Sequence, residues 1–144
     1  MENLEYMEME CGNGVMSDRS IAELSDLTGA IIGCAIEVHR ELGPGLLEST
    51  YEQCLAFEMR DKGIGFELQK PLPVQYKGHR ISCGYRIDVL VEKSIILELK
   101  SVDKLIPIHE AQMLSYMRLS GLKKGILINF NVQLLKNGFK TFVI

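Results

Sequence analysis

The chain has 144 residues, of which 47% are hydrophobic and 24% charged, and this is typical of one globular domain with a real core. Its most apolar stretch, around residues 29–36, is too short to span a bilayer. Residues 1–18 lack the basic start and the apolar stretch of a signal peptide. We therefore expect a cytoplasmic protein without a membrane partner.

The net charge of -3 is unevenly distributed along the chain. Residues 1–18 hold five acidic side chains and no Lys or Arg. We expect residues 1–20 to form an acidic, mobile arm and residues 21–144 to form the folded domain. The domain is close to neutral, which is compatible with a nucleic-acid partner without indicating one. The four cysteines lack the close spacing of zinc or iron–sulfur ligands, so buried free thiols are expected.

Two helices are predicted at the start of the domain. Ser25 or Asp26 would cap the first helix, which runs to Leu42 with apolar residues at helical spacing. Gly-Pro-Gly at residues 43–45 would end it, because a glycine followed by proline is a common helix stop. A second helix is predicted from residue 46 or 47 to about residue 62, with a glycine directly after it.

After the second helix the pattern changes to short apolar runs separated by turn residues. Residues 66–69 and 73–76 are predicted strand pieces, and a hairpin follows. Pro107 suits the first turn of a third helix, which Gly121 would end. Two more strands are predicted, at residues 125–130 and 139–144. The expected fold class is α/β, with the element order α-α-β-β-β-α-β-β.

The hairpin consists of the apolar runs 85–91 and 95–100, joined by a loop of about three residues. Pairing Val91 with Ile95 places Asp88 opposite Glu98. Glu98 and Lys100 share one face, because alternate residues of a strand point the same way. Two facing carboxylates and a lysine are costly to bury unless they bind something, and carboxylates suit a divalent cation.

Hydrolysis of a phosphodiester needs charge neutralisation at the phosphate, a hydroxide-like nucleophile and help for the leaving oxygen. One or two Mg²⁺ ions held by carboxylates can supply all three. Asp88 and Glu98 are the candidate ligands, and Lys100 would orient the attacking water or stabilise charge on the phosphate. The alternative is a cross-strand charge cluster on a solvated sheet face. The apolar neighbours on both strands argue against that alternative.

Three helical positions are further candidates. Gln112 and Tyr116, four residues apart on the third helix, would share a face and position a phosphate or a water. An ordinary exposed helical face is the alternative, and His109 lies on roughly the same side. Glu48, at the start of the second helix, is either a further carboxylate for the metal or a favourable charge at the helix N-terminus. Solvent exposure explains the polar residues that end the first helix, His39 and Arg40.

These residues resemble a known family. Asp88, nine intervening residues and then Glu98-x-Lys100 resemble the active-site signature of the PD-(D/E)xK nuclease superfamily, with Ile87 in place of the proline. Gln112-x-x-x-Tyr116 resembles the extra motif of its RecB-like branch. The sequence Gly-Leu-Leu-Glu-Ser-Thr-Tyr resembles the motif that names the GxxExxY proteins. The likeness covers about residues 22–144, and its other similar segments are residues 38–45 and 125–130.

The resemblance implies a restriction-endonuclease-like core, in which a mixed β-sheet is flanked by helices. It also implies Mg²⁺ or Mn²⁺ bound by Asp88, Glu98 and Glu48, with Lys100 catalytic. Gln112 and Tyr116 would position groups rather than transfer protons. The cysteines do not follow the pattern of the iron–sulfur nucleases in the RecB-like branch, so no cluster is expected.

The leading hypothesis is therefore a metal-dependent nuclease that acts on DNA, or alternatively on RNA. A catalytically silent module with the same fold, binding nucleic acid or a protein partner, is the main alternative. The near-neutral charge favours that alternative, because contacts with the phosphate backbone usually supply most of the affinity for nucleic acid. A third interpretation is a subunit of a homodimer, a larger assembly or a toxin–antitoxin-like pair, which the small size and the acidic arm support.

Overall fold

The structure, a computed structural model, describes residues 19–144. Residues 1–18 of the predicted acidic arm lie outside the described part of the chain. Three α-helices are present in the described part: α1 (Ile21–Leu42), α2 (Glu48–Asp61) and α3 (Pro107–Ser120).

The first helix begins earlier than predicted. Ser20 Oγ accepts a hydrogen bond from the Glu23 backbone N–H at 3.1 Å, and Glu23 Oε1 accepts one from the Ser20 N–H at 2.9 Å. This reciprocal capping box satisfies two backbone donors at once, so Ser20 is the cap and the prediction of Ser25 or Asp26 is wrong.

The helix ends follow their glycines and proline as predicted. Gly43 stops α1 at a φ of 71°, and its N–H donates to the His39 carbonyl at 2.7 Å. Pro107 lies in the first turn of α3, and Gly121 caps its end in the left-handed conformation. Both glycines take a positive φ that is strained for other residues, which is why these helix ends were readable from the sequence.

Seven strands follow in the described chain, with a short 3₁₀ helix at Leu135–Asn137: β1 (Phe66–Pro71), β2 (Val74–Tyr76), β3 (His79–Ile81), β4 (Arg86–Val91), β5 (Ile95–Lys100), β6 (Lys124–Asn129) and β7 (Phe139–Val143). Five strands thus lie between α2 and α3, where the sequence indicated four runs and the predicted order gave three. The first predicted piece joins the main sheet as β1, whereas the second, β2, pairs around a turn at residues 77–78 with β3, a strand that was not predicted.

The main sheet has the strand order β1-β4-β5-β6-β7. The pair β5–β6 is parallel and the other neighbours are antiparallel, so the sheet is mixed. Helix α3 is the crossover that joins the two parallel strands. A mixed sheet flanked by helices is the α/β, restriction-endonuclease-like fold that the sequence predicted.

The sheet separates two apolar cores. On one face, α1 and α2 pack against alternate residues of β4, β5 and β6, and Tyr51 of α2 stacks on Phe130 with ring centroids 4.4 Å apart. On the other face, α3 packs through Met113 and Met117. Two helical layers therefore hold the three central strands, β4, β5 and β6, away from water.

Of the cysteines in the described chain, Cys34 is buried, Cys54 is partly buried and Cys83 is exposed. The expectation of buried thiols is therefore wrong for Cys83. No helix in the described residues combines the length and apolarity that a membrane crossing requires.

Candidate active site

The hairpin register is the predicted one for three residue pairs, which are Val91–Ile95, Leu90–Ile96 and Val89–Leu97. At the next position the backbone ladder stops. Instead, the Asp88 N–H donates to Glu98 Oε2 and the Leu99 N–H donates to Asp88 Oδ2, each at 2.9 Å. The predicted opposition of Asp88 and Glu98 is therefore not a regular backbone pair, because the two carboxylates accept the bonds that carbonyls accept elsewhere.

At the same point, the side chains of β4 stop alternating regularly between the two faces of the sheet. Val89 and Val91 pack on the face of α1 and α2, while Leu90 packs on the α3 face. Strict alternation would put Ile87 on the same face as Val89, yet Ile87 packs with Leu90 on the α3 side. The strand is thus irregular around Asp88, which opens room for a side chain to enter the ladder.

In each carboxylate of this pair, one oxygen accepts a backbone hydrogen bond at 2.9 Å and the other oxygen does not. Within the described residues, Asp88 Oδ1 has a single long contact of 3.5 Å, from Gln69 Nε2. Glu98 is 4% exposed, and none of the described residues hydrogen-bonds to its Oε1. Two carboxyl groups joined by backbone hydrogen bonds, each with an oxygen that makes no short hydrogen bond within residues 19–144, are chemically suited to a hard divalent cation.

Burial raises the pKa of Glu98 to about 8, and the negative charge of Asp88 contributes to the rise. Burial also raises the pKa of Asp88, against the hydrogen bond from the Leu99 N–H. Both shifts disfavour the charged forms of the two carboxyl groups. A bound cation would act in the opposite direction, because it favours ionised ligands.

Lys100 ends β5, two residues beyond Glu98, and its side chain reaches α3. Lys100 Nζ donates to Gln112 Oε1 at 3.4 Å, and Gln112 Nε2 donates to the Tyr116 hydroxyl at 3.2 Å. The predicted shared face of Gln112 and Tyr116 is confirmed by this contact. Burial and the charge of Glu98 raise the pKa of Tyr116. The chain Lys100–Gln112–Tyr116, which we call the polar chain, therefore lies beside the carboxylates.

Glu48 occupies the first position of α2, as the sequence indicated. Its Oε2 accepts a 3.3 Å hydrogen bond from the Ser101 N–H, just after β5. Its charge contributes to the raised pKa of both Asp88 and Glu98. Among residues 19–144, however, no three His, Cys, Asp or Glu side chains form a group that would hold a metal by themselves. Water and phosphate oxygens would therefore complete the coordination of a cation here, as is usual for Mg²⁺.

Tyr51 fixes the loop that precedes Glu48. Its hydroxyl donates to the Gly43 carbonyl at 2.7 Å and accepts from the Leu46 N–H at 3.1 Å. The ring is fully buried against Phe130. The Gly-x-x-Glu-x-x-Tyr segment is thus a structural unit in which the tyrosine holds the turn that presents the glutamate.

The weaker sequence candidates have local roles. His109 Nδ1 accepts the Ile106 N–H at 3.1 Å and so caps α3. Arg40 is exposed and pairs with Glu37, as solvent exposure predicted. His39, in contrast, is buried, and its Nε2 donates to the Val132 carbonyl at 2.8 Å, so exposure is the wrong explanation for it. The sequence signal for this burial was the position of His39, four residues after Ala35 on the apolar side of α1.

Sequence reasoning missed two side chains that shape the site. Gln69 of β1 donates to Glu52 Oε1 at 2.7 Å and extends toward Asp88. Asn129 is 2% exposed and holds the loop after β5, accepting from the Val102 N–H at 3.1 Å and donating to the Val102 carbonyl at 2.9 Å. The available signal for the Glu52 partner of Gln69 was its four-residue spacing from Glu48, which places both acids on one side of α2. Nothing local marked Gln69.

A model of the PD-(D/E)XK nuclease superfamily matches residues 25–142, which is most of the chain. The chain belongs to this superfamily. Members of the superfamily generally use divalent metals, in agreement with the donor set of Asp88 and Glu98. Two further comparisons, with curated proteins and with solved structures, found no match.

Proposed function

We propose that the protein is a divalent-metal-dependent nuclease that hydrolyses phosphodiester bonds in DNA. The observation that carries this proposal is the carboxylate pair at the interrupted ladder, with the polar chain beside it. Superfamily membership supports nuclease chemistry and nucleic acid as the partner. Burying two acids so close together destabilises the metal-free fold, which is understandable if the pair serves to bind a cation.

In this mechanism Asp88 and Glu98 would hold Mg²⁺ or Mn²⁺, and Glu48 would assist from the start of α2. When bound, the cation neutralises phosphate charge and lowers the pKa of water to make it a nucleophile. Lys100 is the cationic side chain next to the pair, and it stabilises negative charge that develops on the phosphate. Gln112 accepts from Lys100 Nζ and donates to Tyr116, so these two side chains orient Lys100 rather than transfer protons.

Finer assignments follow from the same residues. We place the chain with the GxxExxY proteins, because Gly45, Glu48 and Tyr51 form the connected unit described above. The Gln112–Tyr116 contact supports the RecB-like branch. We assign the protein to the cytoplasm, and a homodimer or a partner protein is compatible with the exposed apolar residues of the surface.

Calorimetric titration with Mn²⁺, followed by incubation with single- and double-stranded DNA and RNA, tests the proposal. The wild type should bind Mn²⁺ and cut DNA, and Asp88→Asn should bind Mn²⁺ far more weakly and cut DNA far more slowly. Lys123→Ala is a matched surface control, because Lys123 is exposed and outside the site. Cleavage of RNA alone would show that the substrate is RNA instead of DNA. Binding of metal and DNA without cleavage would favour the catalytically silent module. No Mn²⁺ binding by the folded wild type would contradict the proposal.

A further inference from the structure

Gln69 interrupts the pairing of β1 with β4. The two strands pair from Phe66–Val91 to Leu68–Val89 and again from Lys70–Ile87 onward, so Gln69 lies opposite Asp88 without joining the ladder. Its φ is 52°, a left-handed value that side chains other than glycine rarely adopt. A strained residue in a strand, placed directly opposite a functional candidate, calls for an explanation in terms of the site.

The side chain of Gln69 joins two carboxyl groups. Its Nε2 lies 2.7 Å from Glu52 Oε1 and 3.5 Å from Asp88 Oδ1. An amide nitrogen carries two protons, so one nitrogen can serve both acceptors. The Gln69 carbonyl accepts from Arg86 Nη1 at 3.3 Å, which holds the backbone on its other side.

Asp88 is therefore oriented from two directions. The Leu99 N–H on β5 holds Oδ2, and the Gln69 amide on β1 approaches Oδ1. Glu52 anchors that amide from α2 by the shorter of its two contacts. Hydrogen bonds of this kind, made to a metal ligand by residues that do not touch the metal, orient the ligand and commonly change metal affinity by one to two orders of magnitude.

We propose that Gln69 is a positioning residue, whose left-handed backbone is retained because it aims the side-chain amide at the Asp88 carboxylate. The inference rests on the proposed function, since it assigns Asp88 as a ligand of the divalent cation. A carboxylate oxygen has two acceptor positions, so Oδ1 can accept the Gln69 amide and bind a cation together.

The decisive variant is Gln69→Gly, because glycine tolerates the left-handed φ and removes only the side chain. We expect its affinity for Mn²⁺ to fall about tenfold or more by calorimetry, while its thermal midpoint without metal does not fall. Gln69→Ala should lose the same affinity and also be less stable than Gln69→Gly, because alanine keeps the strain. Lys77→Gly is the matched control: Lys77 has a φ of 50° in the β2–β3 turn, and its replacement should leave Mn²⁺ affinity unchanged.

The outcomes separate the two proposals. A wild type that binds Mn²⁺, together with a Gln69→Gly variant that binds it equally well, overturns the role of Gln69 and leaves the proposed function intact. A Gln69→Gly variant that loses stability as much as Gln69→Ala overturns the role as well, because the residue would then be structural. A folded wild type that does not bind Mn²⁺ overturns both.

Discussion

The two ends of the β4–β5 hairpin belong to the same pair of antiparallel strands, but one end is apolar and the other carries two carboxyl groups. At the closed end, next to the loop, Val89, Val91 and Leu97 are fully buried and the backbone ladder is regular. At the open end the ladder gives way to carboxylates, which accept N–H groups from the opposite strand. The closed end stabilises the fold through apolar burial, and the open end gives up part of that stability to keep two acids together. Substitutions at the two ends should therefore affect different properties.

The largest effect is expected from Asp88→Asn at the open end. The amide oxygen can still accept the Leu99 N–H, so the fold should be kept while an anionic ligand is lost. We expect DNA cleavage to fall about a thousandfold, which corresponds to roughly 4 kcal/mol of transition-state stabilisation. Single-turnover cleavage with saturating Mn²⁺ measures this loss, and circular dichroism verifies the fold. Activity within tenfold of the wild type would remove Asp88 from the catalytic set.

At the closed end, Leu97→Ala should act on stability instead. Leu97 is fully buried between two strands and the helices of one face, so its truncation leaves a cavity. The free energy of unfolding should fall by about 2 to 5 kcal/mol in a denaturant titration. The Mn²⁺ affinity of the fraction that remains folded should match the wild type. A decrease of less than about 1 kcal/mol in the free energy of unfolding would mean that the closed end repacks and contributes less than its burial indicates.

The pH dependence of stability should separate the ends further. Glu98 has a pKa of about 8 in the folded chain against 4.5 as its ordinary value, so between these values the folded state holds a proton that the unfolded state has released. The free energy of unfolding of the metal-free protein should therefore fall as the pH rises, by about 2 kcal/mol between pH 5 and pH 7. The raised pKa of Asp88 acts in the same direction.

Glu98→Gln is the control for this dependence, because glutamine does not ionise. Denaturant titrations of both proteins at several pH values give the difference that belongs to Glu98. If the two proteins show the same slope against pH, the carboxyl group of Glu98 does not carry the effect. Addition of Mn²⁺ at pH 7 should raise the stability of the wild type more than that of Glu98→Gln, because the cation binds the ionised carboxylate of the folded state.

The smallest effect is expected in the loop of the closed end. Glu92 and Lys93 have φ values of 51° and 54°, the positive pair found in tight hairpin turns that favour glycine at the second position. Lys93 is exposed and makes one long ion pair, 3.4 Å to Glu67. Lys93→Gly should raise the free energy of unfolding by about 0.5 kcal/mol without changing Mn²⁺ affinity. A decrease in stability would show that the ion pair outweighs the backbone strain.

Much of the fold followed from local sequence. The ends of α1 and α3 were predictable because Gly43 and Gly121 supply the positive φ values that close helices. The hairpin register followed from the short loop and the apolar runs, and the structure pairs Val91 with Ile95 as predicted. The start of α1 was missed because Ser25 and Asp26 are as suitable in type as Ser20, and the complete capping box with Glu23 decides between them.

The sequence by itself therefore determined the α/β class, the helix ends, the register at the closed end of the hairpin and the identities of the carboxylate pair. These depend on neighbours within a few residues, where spacing and residue type are sufficient. Only the tertiary structure decided that the ladder opens at Asp88, that Gln69 turns left-handed toward it, and that His39 is buried. Each of these depends on a hydrogen bond between residues far apart in the chain, which the spacing of residues in the local sequence does not show.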